Sequence, residues 1–219
     1  MRILAIDTTS EFGSLALHQD GVTLEEVPLR APDGFSQVLF GFVDALLKRH
    51  DWALDSVDVF AAAAGPGSFT GVRVGLTAAK GLADALGAGA FAVSNLKALA
   101  EFGSTPARGV VMDARRGEIY GAVYDAELQV VSPEVVAPFQ VWLASLGAPP
   151  REIVCPDFSA FRPSFGLDMP VREQRTLAAA IARIAERTGG VDPAALDANY
   201  VRRSDAELFW TDRSATPSP

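Results

Sequence analysis

Apolar and polar positions follow two rhythms along this chain. Short apolar runs at residues 3–6, 14–18 and 22–28 are divided by a polar stretch and by Asp20-Gly21, which predicts a β-meander. Val38, Leu39, Phe42, Val43 and Leu46 then recur at helical spacing, predicting a helix over 36–49 with Asp33 or Ser36 placed to cap it. A β-like run at 57–64 leads into a glycine-rich turn. A second helix, rich in alanine, follows over 72–86 and stops at Gly87. A short strand at 91–93 and a helix at 96–102 close this half, with Gly103 as the stop.

The rhythm then restarts. Runs at 110–112, 118–124 and 128–131 predict a second meander, followed by a helix at 139–146, a strand at 153–155 and an amphipathic helix at 177–188. The two halves echo each other. Ile3-Leu4-Ala5-Ile6-Asp7 and Val110-Val111-Met112-Asp113 are both apolar strands that end on aspartate and return through a polar turn into a small-residue strand. The echo points to a duplicated α/β architecture. The composition break at 103–109 sets the expected division: one lobe over 1–103, a second over 104–211, and a disordered tail over 212–219.

Composition bounds the function. With 49% hydrophobic and 21% charged residues the chain can bury a sizeable core. A net charge of −8 repels phosphate backbones, so tight binding of nucleic acid by the chain alone is not expected. Cys155 is the single cysteine and excludes an internal disulfide; its place after Ile153-Val154 predicts a buried thiol. No leader-like or membrane-spanning stretch stands out, so the expected compartment is the cytoplasm.

Three segments offer chemistry. Asp7-Thr8-Thr9-Ser10 places a carboxylate at a strand end ahead of hydroxyls, a pattern that can hold magnesium and phosphate or can simply satisfy turn backbone. Gly65-Pro66-Gly67-Ser68-Phe69-Thr70-Gly71-Val72-Arg73-Val74-Gly75 joins a strand to a helix. Its amides suit an anion, but it lacks the Walker and dinucleotide spacings. The alternative is structural: Gly65 and Gly67 permit the turn, and Ser68 or Thr70 caps the helix. Gly71, Gly75 and Ala78 lie along one helical face, which is expected to meet a partner helix at close range. In Asp113-Ala114-Arg115-Arg116-Gly117-Glu118, two arginines beside two acids read as a solvated turn or as a phosphate or partner contact. His18 and His50 have no metal-ligand spacing, and no nucleophile elbow occurs.

Taken together, in order and spacing, these segments resemble the TsaB (YeaZ) family, with Asn199-Tyr200-Val201-Arg202-Arg203 similar to its closing Tyr-x-Arg segment. The resemblance covers about residues 1–203. It implies an actin-like (ASKHA) α/β fold of two related lobes, the second reduced. It also implies a non-catalytic scaffold that pairs with TsaD, is joined by TsaE with ATP hydrolysis, and depends on a TsaC-type enzyme for substrate. TsaD would transfer threonylcarbamoyl to adenosine 37 of ANN-decoding tRNAs, with tRNA met only through the complex.

The implied pairing surface is formed by the first two helices, giving Val38, Leu39, Phe42, Leu46, Gly71, Val74, Gly75 and Ala78 as partner-binding residues; a homodimer could use the same surface. Asp7, Thr8, Thr9 and Ser10 become a vestigial phosphate loop. Arg73, Arg115 and Arg116 become contacts to a partner or to ATP or ADP with magnesium at the subunit junction. No resident cofactor or metal is firmly implied. The sequence departs from its relatives at Phe35-Ser36-Gln37, where His-Ser-Glu is common. The rival readings are a small-molecule kinase or ATPase of the same superfamily and a peptidase.

Overall fold

A computed structural model describes residues 1–157, 159, 169–199 and 201. The expected tail at 212–219, and Tyr200, Arg202 and Arg203, lie outside the described residues.

The first half forms strands β1 (Arg2–Asp7), β2 (Phe12–Gln19), β3 (Val22–Arg30), β4 (Val59–Ala63) and β5 (Gly89–Val93), with helices α1 (Leu39–Arg49), α2 (Phe69–Leu86) and α3 (Asn95–Ala100). The second half forms β6 (Arg108–Arg115), β7 (Glu118–Tyr124), β8 (Val130–Pro138), β9 (Glu152–Cys155) and β10 (Val171–Glu173), with α4 (Phe139–Ser145) and α5 (Ala178–Thr188). The sheets run β3-β2-β1-β4-β5 and β8-β7-β6-β9-β10. In each the first three strands are antiparallel and the last two add in parallel. Strand for strand the second sheet repeats the first, which is the duplication the echo predicted and the actin-like fold. Among the described residues no helix stands in the second half where α2 stands in the first.

Burial explains the strand composition. Leu4, Ile6, Leu15 and Leu17 face α1 and α2, while Ile3, Ala5 and Ala16 face α5. A sheet covered on both faces needs continuous apolar runs instead of alternation. The halves also exchange helices: α3 packs on the second sheet and α5 on the first. Thus α5, from beyond the expected division near residue 103, completes the core of the first sheet. Burying Ile181 and Ile184 there contributes about 1.5–3 kcal/mol each.

The cap at the start of α5 comes from across the molecule. Ser14 Oγ accepts from the amides of Leu177 (3.1 Å) and Ala178 (3.0 Å), and Glu26 accepts from the amide of Ala179 (3.0 Å) and from the Thr176 hydroxyl (3.1 Å). His18 is buried between Thr23 and Glu186, and His50 lies 2.7 Å from Glu25. Cys155 is buried, and burial pushes its thiol up to about 12.

Some boundaries moved. Neither Ser36 nor Asp33 caps α1; its first turn is set by Phe35, whose carbonyl accepts from Leu39 and whose buried ring lies against Gly13. Helix α2 begins at Phe69 because Ser68 Oγ accepts from the Gly71 amide and takes the cap position ahead of Thr70. Strand β10 was not expected from the sequence; Val-Arg-Glu at a sheet edge has too little apolar pattern to signal itself.

Candidate functional site

The Asp7 loop lies under α2. A Cβ on Gly71 would overlap the Thr8 carbonyl oxygen, and one on Gly75 would lie 2.7 Å from Thr8 Oγ1. Thr8 Oγ1 donates to the Gly71 carbonyl at 2.7 Å. A Cβ on Gly67 would reach within 2.7 Å of the Thr9 carbonyl, which accepts from the Ser68 amide at 2.7 Å. The glycine face of α2 therefore seats this chain's own loop, which corrects the expectation that Gly71 and Gly75 meet a partner helix. Ala78 is buried in the core of the same lobe.

Asp7 is 2% exposed. Its Oδ1 accepts from the Thr9 amide (2.9 Å) and the Thr9 hydroxyl (2.7 Å). Burial pushes its pKa up against those hydrogen bonds, and repulsion from Glu26 adds to the rise. A magnesium–phosphate group needs an ionised carboxylate offered outward. Asp7 Oδ1 is turned to Thr9 within the fold. Among the described residues no three His, Cys, Asp or Glu side chains gather as a metal-holding cluster.

Sequence reasoning missed the residues that fix the glycine turn. Asn95 is buried; its Nδ2 donates to Thr9 Oγ1 (2.6 Å), its Oδ1 accepts from the Gly65 amide (2.9 Å), and its own amide donates to the Gly65 carbonyl (2.8 Å). Gly65 has φ +95°, so this turn calls for glycine. Beside it, Glu134 accepts from Ser94 Oγ, Tyr124 OH (2.8 Å) and Asn199 Nδ2 (2.6 Å). Burial and Glu134 together hold the Tyr124 hydroxyl protonated well beyond its usual range. An asparagine and a glutamate so far apart in sequence give no local signal.

Between the lobes lies a cleft of about 730 Å³ lined by Thr9, Ser10, Gly67, Ser68, Arg115 and Asp113 among others. Asp113 Oδ1 accepts from the Arg115 amide (2.7 Å), and their side chains pair at 3.6 Å. Arg115, Arg116 and Gly117 all have positive φ, holding the β6–β7 hairpin in a tight left-handed turn. The structure thus brings Thr9, Ser10, Gly67, Ser68 and Arg115 together and leaves Thr70 and Arg73 elsewhere.

Those two line a second hollow, an apolar groove of about 540 Å³ between α1 and α2, with Leu39, Phe40, Phe69, Val74, Ala78 and Leu82. Phe40 is 58% exposed, Phe69 48% and Val38 41%. The Arg73 guanidinium stacks 3.8 Å over the Phe69 ring. Leu39 and Leu46 were expected on the partner side. Both are buried in this lobe's core, Leu39 forming only the groove floor, because α1 turns Leu39, Val43, Leu46 and Leu47 inward. Phe42 and Val74 are half-buried. Val38, expected on the partner side, is exposed, and Phe40 and Phe69, which the sequence reading passed over, carry most of the exposed apolar surface; helical phase places Phe40 one residue outside the buried stripe.

Residues 18–185 match the family profile described as "TsaD: tRNA N6-adenosine threonylcarbamoyltransferase". The chain is 33% identical over 163 residues to the tRNA threonylcarbamoyladenosine biosynthesis protein TsaB of Bacillus subtilis, covering 70% of this chain and 69% of that one. It is 37% identical over 132 residues to the protein of the same description from Escherichia coli, a match spanning 58% of this chain and 56% of that relative's length. The solved structure of YeaZ from Pseudomonas aeruginosa superimposes with a TM-score of 0.76 at 26% identity, over 91% of this chain and 99% of that one.

Proposed function

The chain belongs to the TsaB (YeaZ) family, and from that premise we propose that it serves threonylcarbamoyladenosine biosynthesis in tRNA as a non-catalytic scaffold paired with TsaD. The observation that carries this reading is the groove between α1 and α2. A folded lobe has no use for Phe40, Phe69 and Val38 in water, and an exposed apolar seam of this kind is covered by a partner. In TsaD's absence a second copy can cover it.

The closed Asp7 loop supports the non-catalytic part. One oxygen of its carboxylate is held by Thr9 inside the fold, and the glycines at the start of α2 seat the loop. In this reading the threonylcarbamoyl group, supplied by a TsaC-type enzyme, is transferred to adenosine 37 of ANN-decoding tRNAs by TsaD. ATP or ADP with magnesium belongs at a subunit junction, where TsaE joins. With a net charge of −8 this chain meets tRNA only through the complex, in the cytoplasm.

The test is reconstitution of TsaC-type enzyme, TsaD, TsaE, ATP, threonine, bicarbonate and tRNA, with and without this protein, read by mass spectrometry of digested tRNA. Product should require this chain and survive Asp7→Ala. Equal product without it would overturn the reading. The cleft of about 730 Å³ favours one rival, a small-molecule kinase or ATPase. Calorimetric titration of the isolated chain with Mg-ATP decides it: low-micromolar affinity lost in Asp7→Ala would establish the rival.

A further inference from the structure

Helix α2 presents two faces to two different tasks. Val72, Leu76, Ala79 and Ala83 share one face, buried in the core of the first lobe. Arg73, Thr77 and Gly81 share another, which lines the groove. Leu196 and Ala198 pack against that same core. They belong to a stretch, 191–199, that follows α5 and runs along β5 and α2. Val191 exchanges two backbone hydrogen bonds with Ala90 of β5, at 2.8 and 3.0 Å. A 3-10 turn at Pro193–Ala195 then rests on α2 and β5, capped by Asp192, which accepts from the Ala194 amide at 2.8 Å. At its end the Asn199 amide donates to the Ala64 carbonyl at 2.8 Å.

The far end of this stretch is fastened from the other lobe. Asn199 Nδ2 donates to Glu134 Oε2 on β8 at 2.6 Å. Glu134 Oε1 accepts from Ser94 Oγ and from Tyr124 OH (2.8 Å), and the Tyr124 hydroxyl, held protonated, remains a donor. Ser94 caps α3 and directly precedes the Asn95 that grips Gly65. A Cβ on Gly65 would lie 3.3 Å from the Asn199 carbonyl oxygen and 3.2 Å from Val72 Cγ2. The Gly65 turn therefore sits between the end of this stretch and the first turn of α2.

We propose that 191–199 is a strap that sets where the N-terminal end of α2 stands, and hence the shape of the α1–α2 groove, and that Glu134 is the positioning residue that fastens it. Fastening the strap and filling the groove are then linked. A partner that binds the groove in its fastened shape tightens the strap by the same factor as the strap tightens that binding. This consequence rests on the groove being the TsaD-pairing surface; the strap itself does not.

The test is a double-mutant swap in the full chain, read by hydrogen exchange with mass spectrometry. Asn199→Asp turns a carboxylate toward Glu134 and should speed exchange about tenfold in peptides over 191–199 and over 65–76, with 178–188 of α5 unchanged. Adding Glu134→Gln supplies an amide donor to the new carboxylate and should restore both peptides. Asn199→Ala, a milder change, should speed the same two peptides about threefold. Faster exchange in the strap alone would overturn the proposal, because α2 would then stand without it. Equal acceleration in every peptide, α5 included, would overturn it too, by reducing Glu134 to general stability. With TsaD, the Asn199→Asp chain should pair about tenfold more weakly and the swapped chain should pair as the wild type does. Unchanged pairing beside the expected exchange pattern would remove the groove as the pairing surface and leave the strap standing.

Discussion

The two halves carry the same local motif at or near the ends of their first strands and put it to opposite uses. Asp7 Oδ1 accepts from the amide two residues on, and so does Asp113 Oδ1. Above the first turn lies α2, whose glycines let the backbone press on Thr8. Among the described residues no helix covers the second, and Asp113 and Arg115 open onto the cleft. The turn is a property of the aspartate and its neighbours. Whether it becomes a buried brace or an exposed hairpin depends on the element above it.

The largest effect should come from forcing the covered loop apart. Gly71→Val drives a side chain into the Thr8 carbonyl and should cost about 3 kcal/mol in urea unfolding, although it removes a helical glycine. A loss well under 1 kcal/mol would mean that α2 and the loop are not held together as described. Next comes the contact that interlocks the halves. Glu101 on the α3 end bonds Arg187 (2.6 Å) and Arg183 (3.1 Å) of α5, and Glu101→Gln should cost about 2 kcal/mol.

Burial raises the Glu101 pKa, but the two arginines outweigh it and the net shift is downward. Its stabilisation is therefore present above the ordinary carboxylate pKa and is lost as pH falls through the depressed one. The Gln variant should show a flatter acid limb in the pH–stability curve; an unchanged limb would remove this contact from the account.

Gly117→Ala probes the open turn. Its φ is +77° and nothing crowds a Cβ there, so the cost should be about 1 kcal/mol, from backbone strain alone. The smallest effect has the opposite sign. Asp7→Asn keeps the oxygen that accepts from Thr9 and removes the cost of burying a titratable carboxyl, so it should raise the melting temperature by about 2–4 °C near neutral pH. The Asp7 pKa is raised, so its contribution to stability declines as pH climbs through that value, and the gain in the Asn variant should vanish in acid. A variant less stable than wild type at neutral pH would show that the charged carboxylate is favoured after all.

Much of the fold was legible because burial on both faces writes itself into composition. Continuous runs such as Ile3–Ile6, with the aspartate that ends them, marked both meanders and their duplication. Gly87 marked the end of α2, while its start was left between Ser68 and Thr70 until the structure chose Ser68. The site was less legible. Gly71 and Gly75 announce a close approach but not what approaches. Leu39 and Leu46 look the same whether a stripe faces its own core or a partner, while Phe40, adjacent to Leu39, is the exposed one.

The sequence by itself determined the order of elements apart from β10, the repeated Asp turns and the acidic balance, since each depends on near neighbours or on a sum over residues. Only the tertiary structure decided that α3 and α5 change places, that Ser14 and Glu26 cap a helix more than 150 residues away, and that Asn95 and Glu134 lock the glycine turn. Those are pairings between polar groups brought together by packing, and a hydrogen bond leaves no periodicity in the chain that makes it.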